Sequence, residues 1–172
     1  MNLSVLAQEL GTSDRTLRRL AATGLVRSGR RRGRMPLPPT EENWLRAHWT
    51  VVSQLRSALR SEPNVRAALL FGSTAKGTDT PASDLDLILD LEPDDQLALR
   101  RVRQRLSRKL GRSVDVVLLR DLEAEPETLL PILEAARPLV DRAGVLQRLQ
   151  YSSRALGARA RNRLRNRRYR AG

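Results

Sequence analysis

Asp84-Leu85-Asp86 is the densest concentration of chemically capable side chains in this 172-residue chain. It opens an alternating run, Asp84-Leu-Asp-Leu-Ile-Leu-Asp90, whose period of two is that of a strand. Residues i and i+2 of a strand face one side, roughly 6.6–7 Å apart. Asp84 and Asp86 therefore project together, while Leu85, Leu87 and Leu89 turn to the core. Two carboxylates so placed repel each other unless a cation lies between them. A third, Asp115, sits in the apolar run Val114-Asp-Val-Val-Leu-Leu119, where burying an unpaired charge would be costly. The chain has no cysteine, and His48 is its one histidine. A donor set made of oxygens favours Mg²⁺ or Mn²⁺ over zinc. Three carboxylates on two strands suffice to bridge two Mg²⁺ ions, the arrangement that serves in-line phosphoryl or nucleotidyl displacement.

The segment before Asp84 fits that chemistry. An apolar strand ends at Phe71 and runs directly into Gly72-Ser73, where small residues let backbone N–H groups and a hydroxyl approach a phosphate. Ten residues, Thr74 to Ser83, separate this pair from Asp84. A P-loop needs Gly-Lys-Ser/Thr after four spacers and then a helix. Here Lys76 precedes Gly77 and a strand is expected next, so that reading fails.

Gly72-Ser73, ten residues, then Asp84-Leu85-Asp86 resembles the signature of the polymerase-beta-like nucleotidyltransferase superfamily. Leu70-Phe-Gly-Ser-Thr-Ala-Lys-Gly77 through Ser83-Asp-Leu-Asp86 is similar, more narrowly, to the minimal nucleotidyltransferase (MNT) proteins. The resemblance covers roughly residues 62–141. It implies that Gly72 and Ser73, with Lys76 and Ser83, hold the triphosphate of ATP or another NTP. It implies that Asp84, Asp86 and Asp115 ligate two Mg²⁺ ions and carry catalysis. Lys76 stands where Arg is commoner, and meets a phosphate as a point charge rather than a fork.

The elements that must position these residues are legible in coarse form. The expected fold class is α+β: a small mixed sheet with flanking helices, preceded by a small helical module. Helices are expected over Leu3–Leu10 and Asp14–Ala22, then from a Thr40 cap (Asn43 as the alternative) to Arg60. Strands follow at 65–71, 84–91, 113–119 and 138–141, with 72–83 a loop. Further helices are expected over 94–110, around 128–136, and from Ala143 onward. Trp44, His48 and Trp49 read as packing residues.

Leu6, Ala7, Leu10, Gly11, Leu17 and Leu20 have the spacing of a helix-turn-helix. Residues 1–34 resemble the compact or winged helix-turn-helix domains of bacterial regulators. Arg15, Arg18 and Arg19 would face DNA phosphates or base edges, and Arg27, Arg30, Arg31 and Arg32, in a glycine-spaced basic loop, a flanking phosphate. The expected organisation is a DNA-binding module at 1–34, a linker and connecting helix at 35–62, the nucleotidyltransferase domain at 63–141, and an Arg-rich tail at 142–172.

The net charge of +13 sits at the ends. Residues 1–34 hold eight Arg against Glu9 and Asp14, and residues 154–170 hold eight Arg and no acid. The middle, with 16 basic and 17 acidic residues, is neutral within one charge. Absent cysteine excludes disulfides, thiol catalysis and Cys-bound zinc. The 3% aromatic content excludes a base-stacking platform. No run approaches the roughly 20 apolar residues of a membrane span, so a soluble, cytoplasmic protein is expected.

These features and resemblances imply an enzyme that transfers NMP, AMP from ATP first, to a protein or tRNA acceptor within a toxin–antitoxin or defence system, with a separate toxin as partner. The alternative is a DNA-binding regulator or antitoxin whose nucleotidyltransferase fold senses nucleotide or is inactive. A helix-turn-helix reading a palindrome would act as a homodimer.

Overall fold

Apolar spacing sets the N-terminal helices. The computed structural model describes residues 3–29, 35–142, 144, 145, 148 and 149. Helix α1 (Leu3–Glu9) buries Leu6 and Ala7, and α2 (Asp14–Ala22) buries Leu17 and Leu20. Ser13 caps α2 by accepting the Thr16 N–H. The turn between them passes through Gly11 at φ +63°. The Gly29 N–H donates to the Pro36 carbonyl at 3.0 Å. Arg30, Arg31 and Arg32 lie outside the described residues, as does the Arg-rich tail from residue 150 onward.

Helix α3 (Pro39–Arg60) begins one residue before the expected Thr40 cap: Pro38 is the capping residue and Pro39 takes the first turn. Proline suits that place because its φ is already helical and its missing N–H would have had no intrahelical partner. The helix buries Trp44, Leu45, His48, Val52, Leu55, Ala58 and Leu59.

The sheet follows as β1 (Val65–Phe71), α4 (Gly72–Lys76), β2 (Leu85–Leu91), α5 (Gln96–Leu110), β3 (Val114–Leu118), α6 (Leu119–Glu123), α7 (Pro126–Ala135) and β4 (Arg137–Asp141). The strand order is β3-β2-β1-β4. β1 runs antiparallel to both neighbours, and α5 carries the chain over to the parallel β2–β3 pair. This is the mixed-sheet α+β fold expected. One face packs Leu70, Leu85, Leu87 and Leu89 with Leu55, Leu59, Val102 and Leu106 of α3 and α5. The other packs Leu69 and Ile88 with Leu119 and Leu129. Strand β1, covered on both faces, accordingly reads as a nearly unbroken apolar run, whereas β2 carries Asp86 and Asp90 on the face opposite its leucines.

Two helices depart from expectation. The segment after Phe71 is not all loop, because α4 forms at once, and α6 follows β3 directly. Each is five residues long, too short to display a helical period. Among the described residues, no helix is long and apolar enough to cross a membrane.

Candidate active site at the start of β2

Strand register brings the carboxylates to one end of the sheet. Asp86 pairs across with Phe71 of β1 and with Asp115 of β3. Asp84 lies just before β2, two residues from Asp86 and on its face by the period of the strand. Leu85, Leu87 and Leu89 are fully buried behind them, as the alternation requires.

The helix that starts at Gly72 closes over Asp86. Gly72 has φ +70°, and a Cβ built on it would stand 1.9 Å from Asp86 Oδ2 and 2.8 Å from its Cγ. Only glycine permits this backbone and this approach. Ser73 follows in the first turn, and its hydroxyl has no protein partner among the described residues. Lys76 lies exposed in the last turn. Ser83 is placed differently. Its hydroxyl accepts the Thr80 N–H at 2.9 Å and closes the turn before Asp84.

Two braces fix these pieces. Arg137 of β4 is 3% exposed and pairs with the equally buried Glu41 of α3 at 2.7 Å. It also donates to the Ala75 carbonyl of α4 and to the Leu25 carbonyl. Its guanidinium lies 3.5 Å over the Trp44 ring, and Trp44 Nε1–H donates to the Thr74 carbonyl at 2.8 Å. Helix α4 is thus held by carbonyl contacts from α3 and β4. In the second brace, His48 stacks on Trp44 and its Nε2 lies 2.7 Å from Asp79 Oδ1. Arg112 reaches both Asp79 and the Ser83 carbonyl. Burial works against the Asp79 charge, but the His48 hydrogen bond and charge outweigh it and hold that carboxyl below its ordinary range.

Asp115 corrects one expectation. It is not buried, since β3 is the edge strand and its side chain is 53% exposed. Nor is it unpaired: Arg103 of α5 donates to its Oδ1 at 2.8 Å. Among the described residues, no three His, Asp or Glu side chains converge closely enough to hold an ion as they stand. The electrostatics nevertheless suit a divalent cation. Burial, then Asp115 and then Asp84, raise the Asp86 pKa above its ordinary value. The donors are hard oxygens, and the Gly72 backbone keeps the Asp86 carboxylate accessible rather than walled off by a side chain. In donor type these carboxylates fit Mg²⁺, although Asp115 is paired with Arg103.

Of the sequence-derived DNA candidates, Arg15, Arg18 and Arg19 stand exposed on α2. Arg27 is engaged elsewhere. Its guanidinium donates to the Ala135 carbonyl at 2.6 Å and its N–H to Glu41 at 2.9 Å. The positioning residues that sequence reasoning missed are Glu41 and Arg137, 96 positions apart, for which no local pattern exists. His48 and Trp44 do pack as expected, and in addition they orient polar groups.

Comparison with curated proteins gives no match. Among solved structures, a toxin–antitoxin with AMP-PNP is similar at 23% identity, over 63% of this chain and 97% of that chain, with a TM-score of 0.45. A tri-AMPylated Shewanella oneidensis HEPN toxin in complex with an MNT antitoxin is similar at 20% identity, over 66% and 98%, with a TM-score of 0.42. Residues 53–143 match the family model "Polymerase beta, Nucleotidyltransferase". That match spans the whole sheet with Asp84, Asp86 and Asp115, while the brace residues Glu41, Trp44 and His48 precede it, and the chain belongs to the polymerase beta nucleotidyltransferase family.

Proposed function

We propose that this chain is a Mg²⁺-dependent enzyme that moves the NMP of ATP, or of another NTP, onto a hydroxyl of a protein or tRNA acceptor. The observation that carries the reading is the close approach of Gly72 to Asp86, which joins the Gly72-Ser73 turn to a carboxylate in register with Asp115. Gly72 and Ser73 would donate N–H and O–H groups to the phosphate oxygens, and Lys76 would add a charge. Asp84 and Asp86 would hold the metal, with Asp115 as the third ligand once Arg103 lets go. Bound there, Mg²⁺ would neutralise charge on the phosphates and on the attacking oxygen. Asp115, nearest the open edge of the sheet, would orient the acceptor hydroxyl and accept its proton. The acceptor O–P bond forms, the bond between the α- and β-phosphates breaks, and pyrophosphate leaves. The MNT resemblance supports an acceptor in a toxin–antitoxin or defence pair, with a separate toxin protein as first candidate.

A second role accompanies it. Exposed Arg15, Arg18 and Arg19 on α2, after a tight Gly11 turn, support contact between the N-terminal helices and DNA, whether or not the site is active.

The test is label transfer from α-labelled NTPs with Mg²⁺, bulk tRNA and the product of the adjacent gene. Transfer by wild type and none by Asp84→Ala/Asp86→Ala is expected. No labelling of any acceptor overturns the enzyme and leaves a regulator.

A further inference from the structure

A groove of about 550 Å³ runs between α2, the C-terminal half of α3 and β4, on a different set of elements from the carboxylates. Arg19, Arg56, Arg60 and Arg142 line it, with Thr23 and Asp141. Arg142 is committed to the fold, since it donates to the Leu59, Arg60 and Glu62 carbonyls at the end of α3. The Asp141 carboxylate accepts the Val145 N–H. Arg56 gives its Nε–H to the Leu139 carbonyl, and its two terminal nitrogens have no partner among the described residues. The guanidinium groups of Arg19 and Arg60 have no protein partner among the described residues, and no described carboxylate pairs with any of the three. Arg56 is half-buried, and burial, then Arg60 and Arg19, pull its pKa down to about 10. Cations crowded this way in a concavity destabilise one another until an anion arrives.

We infer that this groove seats the phosphate backbone of duplex DNA, with Arg19, Arg56 and Arg60 on successive phosphates. Continuity selects the occupant. Arg19 belongs both to the groove and to the exposed Arg15–Arg18–Arg19 face of α2, so one backbone lying along α2 would continue onto α3. The inference rests on the DNA-contact reading of α2 and extends it to residues outside the N-terminal module. Arginine forks bind phosphate oxygens in pairs.

The experiment measures binding of the full-length protein to a short random-sequence duplex by fluorescence anisotropy over a salt series, with single-stranded RNA in parallel. Each lost phosphate contact should flatten the log–log salt slope by about 0.9. Arg56→Gln/Arg60→Gln should flatten it by about 1.8 on duplex DNA, and Arg60→Gln alone, which removes no intramolecular bond, by about half that. Arg100→Gln/Arg101→Gln on α5 removes the same charge elsewhere and sets the background. A groove variant indistinguishable from that control overturns the inference, as does a loss confined to RNA. Arg15→Gln/Arg18→Gln separates the two readings: if it weakens DNA binding and the groove variants do not, the α2 reading stands and the groove falls. If neither has an effect, both fall.

Discussion

Gly72→Ala isolates the contact on which the site depends. Two costs arise, and the structure separates them. An alanine at φ +70° carries backbone strain of about 1–2 kcal/mol. Its methyl would also lie 1.9 Å from Asp86 Oδ2, where an ordinary C···O contact is about 3.4 Å. The carboxylate must therefore retreat by about 1.5 Å. A displacement of that size in a reacting constellation costs on the order of 100-fold in rate. Gly111→Ala is the matched control, with φ +60° and nothing within 4 Å of its Cβ. It should lose about 1–2 kcal/mol by urea unfolding and keep full label transfer. Gly72→Ala should lose more stability and at least about 100-fold in transfer. A double-mutant cycle removes any dependence on activity. In Gly72→Ala/Asp86→Ala the nearest contact becomes the Cβ–Cβ distance of 3.2 Å, so the two changes should couple favourably. Additive unfolding free energies, or a Gly72→Ala protein as active as wild type, would refute the reasoning.

Three further outcomes follow from other contacts. Glu41→Ala leaves Arg137 buried and unpaired, and should cost about 3–5 kcal/mol in urea unfolding. Asp86→Asn should raise Tm in Mg²⁺-free buffer at neutral pH while abolishing transfer. Burial, Asp115 and Asp84 hold the Asp86 pKa above its unfolded value, so its ionised form costs stability above the folded pKa and that cost vanishes below the unfolded one; the Tm gap should close on acidification, and a constant gap would contradict it. Arg103→Gln frees Asp115 from an exposed ion pair worth at most about 1 kcal/mol, so a Mg²⁺ titration of transfer should reach half-maximum at up to about fivefold lower concentration.

The carboxylates were legible because β2 spells its own orientation. Leucines at 85, 87 and 89 fix one face, which leaves 84 and 86 on the other. The Gly72-Ser73 turn was legible for a similar reason, since a strand that ends in Phe-Gly-Ser has few continuations. What escaped was every feature made by distant residues. The environment of Asp115 depends on β3 being an edge strand and on Arg103 lying one helix away, and neither follows from an apolar pentapeptide. Glu41 and Arg137 stand 96 positions apart, and only the fold sets them beside each other, Trp44 and the Ala75 carbonyl. Helix α4 is set by contacts to Thr74 and Ala75 from α3 and β4, so its five residues carry no period to read.

The N-terminal helices share in holding the site together. Leu6, Leu20, Leu25 and Val26 are each about 1% exposed or less, and they join the same apolar cluster as Trp44 and Leu70. The Leu25 carbonyl is one of the acceptors that Arg137 uses while it holds Ala75 of α4. Burial of a leucine side chain contributes about 1.5–3 kcal/mol, so removal of residues 1–34 strips several such contributions and uncovers the α3 side of the core. The expected result is a large fall in Tm, with label transfer declining alongside DNA binding. Point changes at Arg15 and Arg18, which touch no core residue, should leave Tm and transfer intact and reduce DNA affinity alone. A truncated chain that melts at the wild-type temperature would mean that this cluster contributes nothing to stability, and the packing between the N-terminal helices and α3 would have to be reread as incidental.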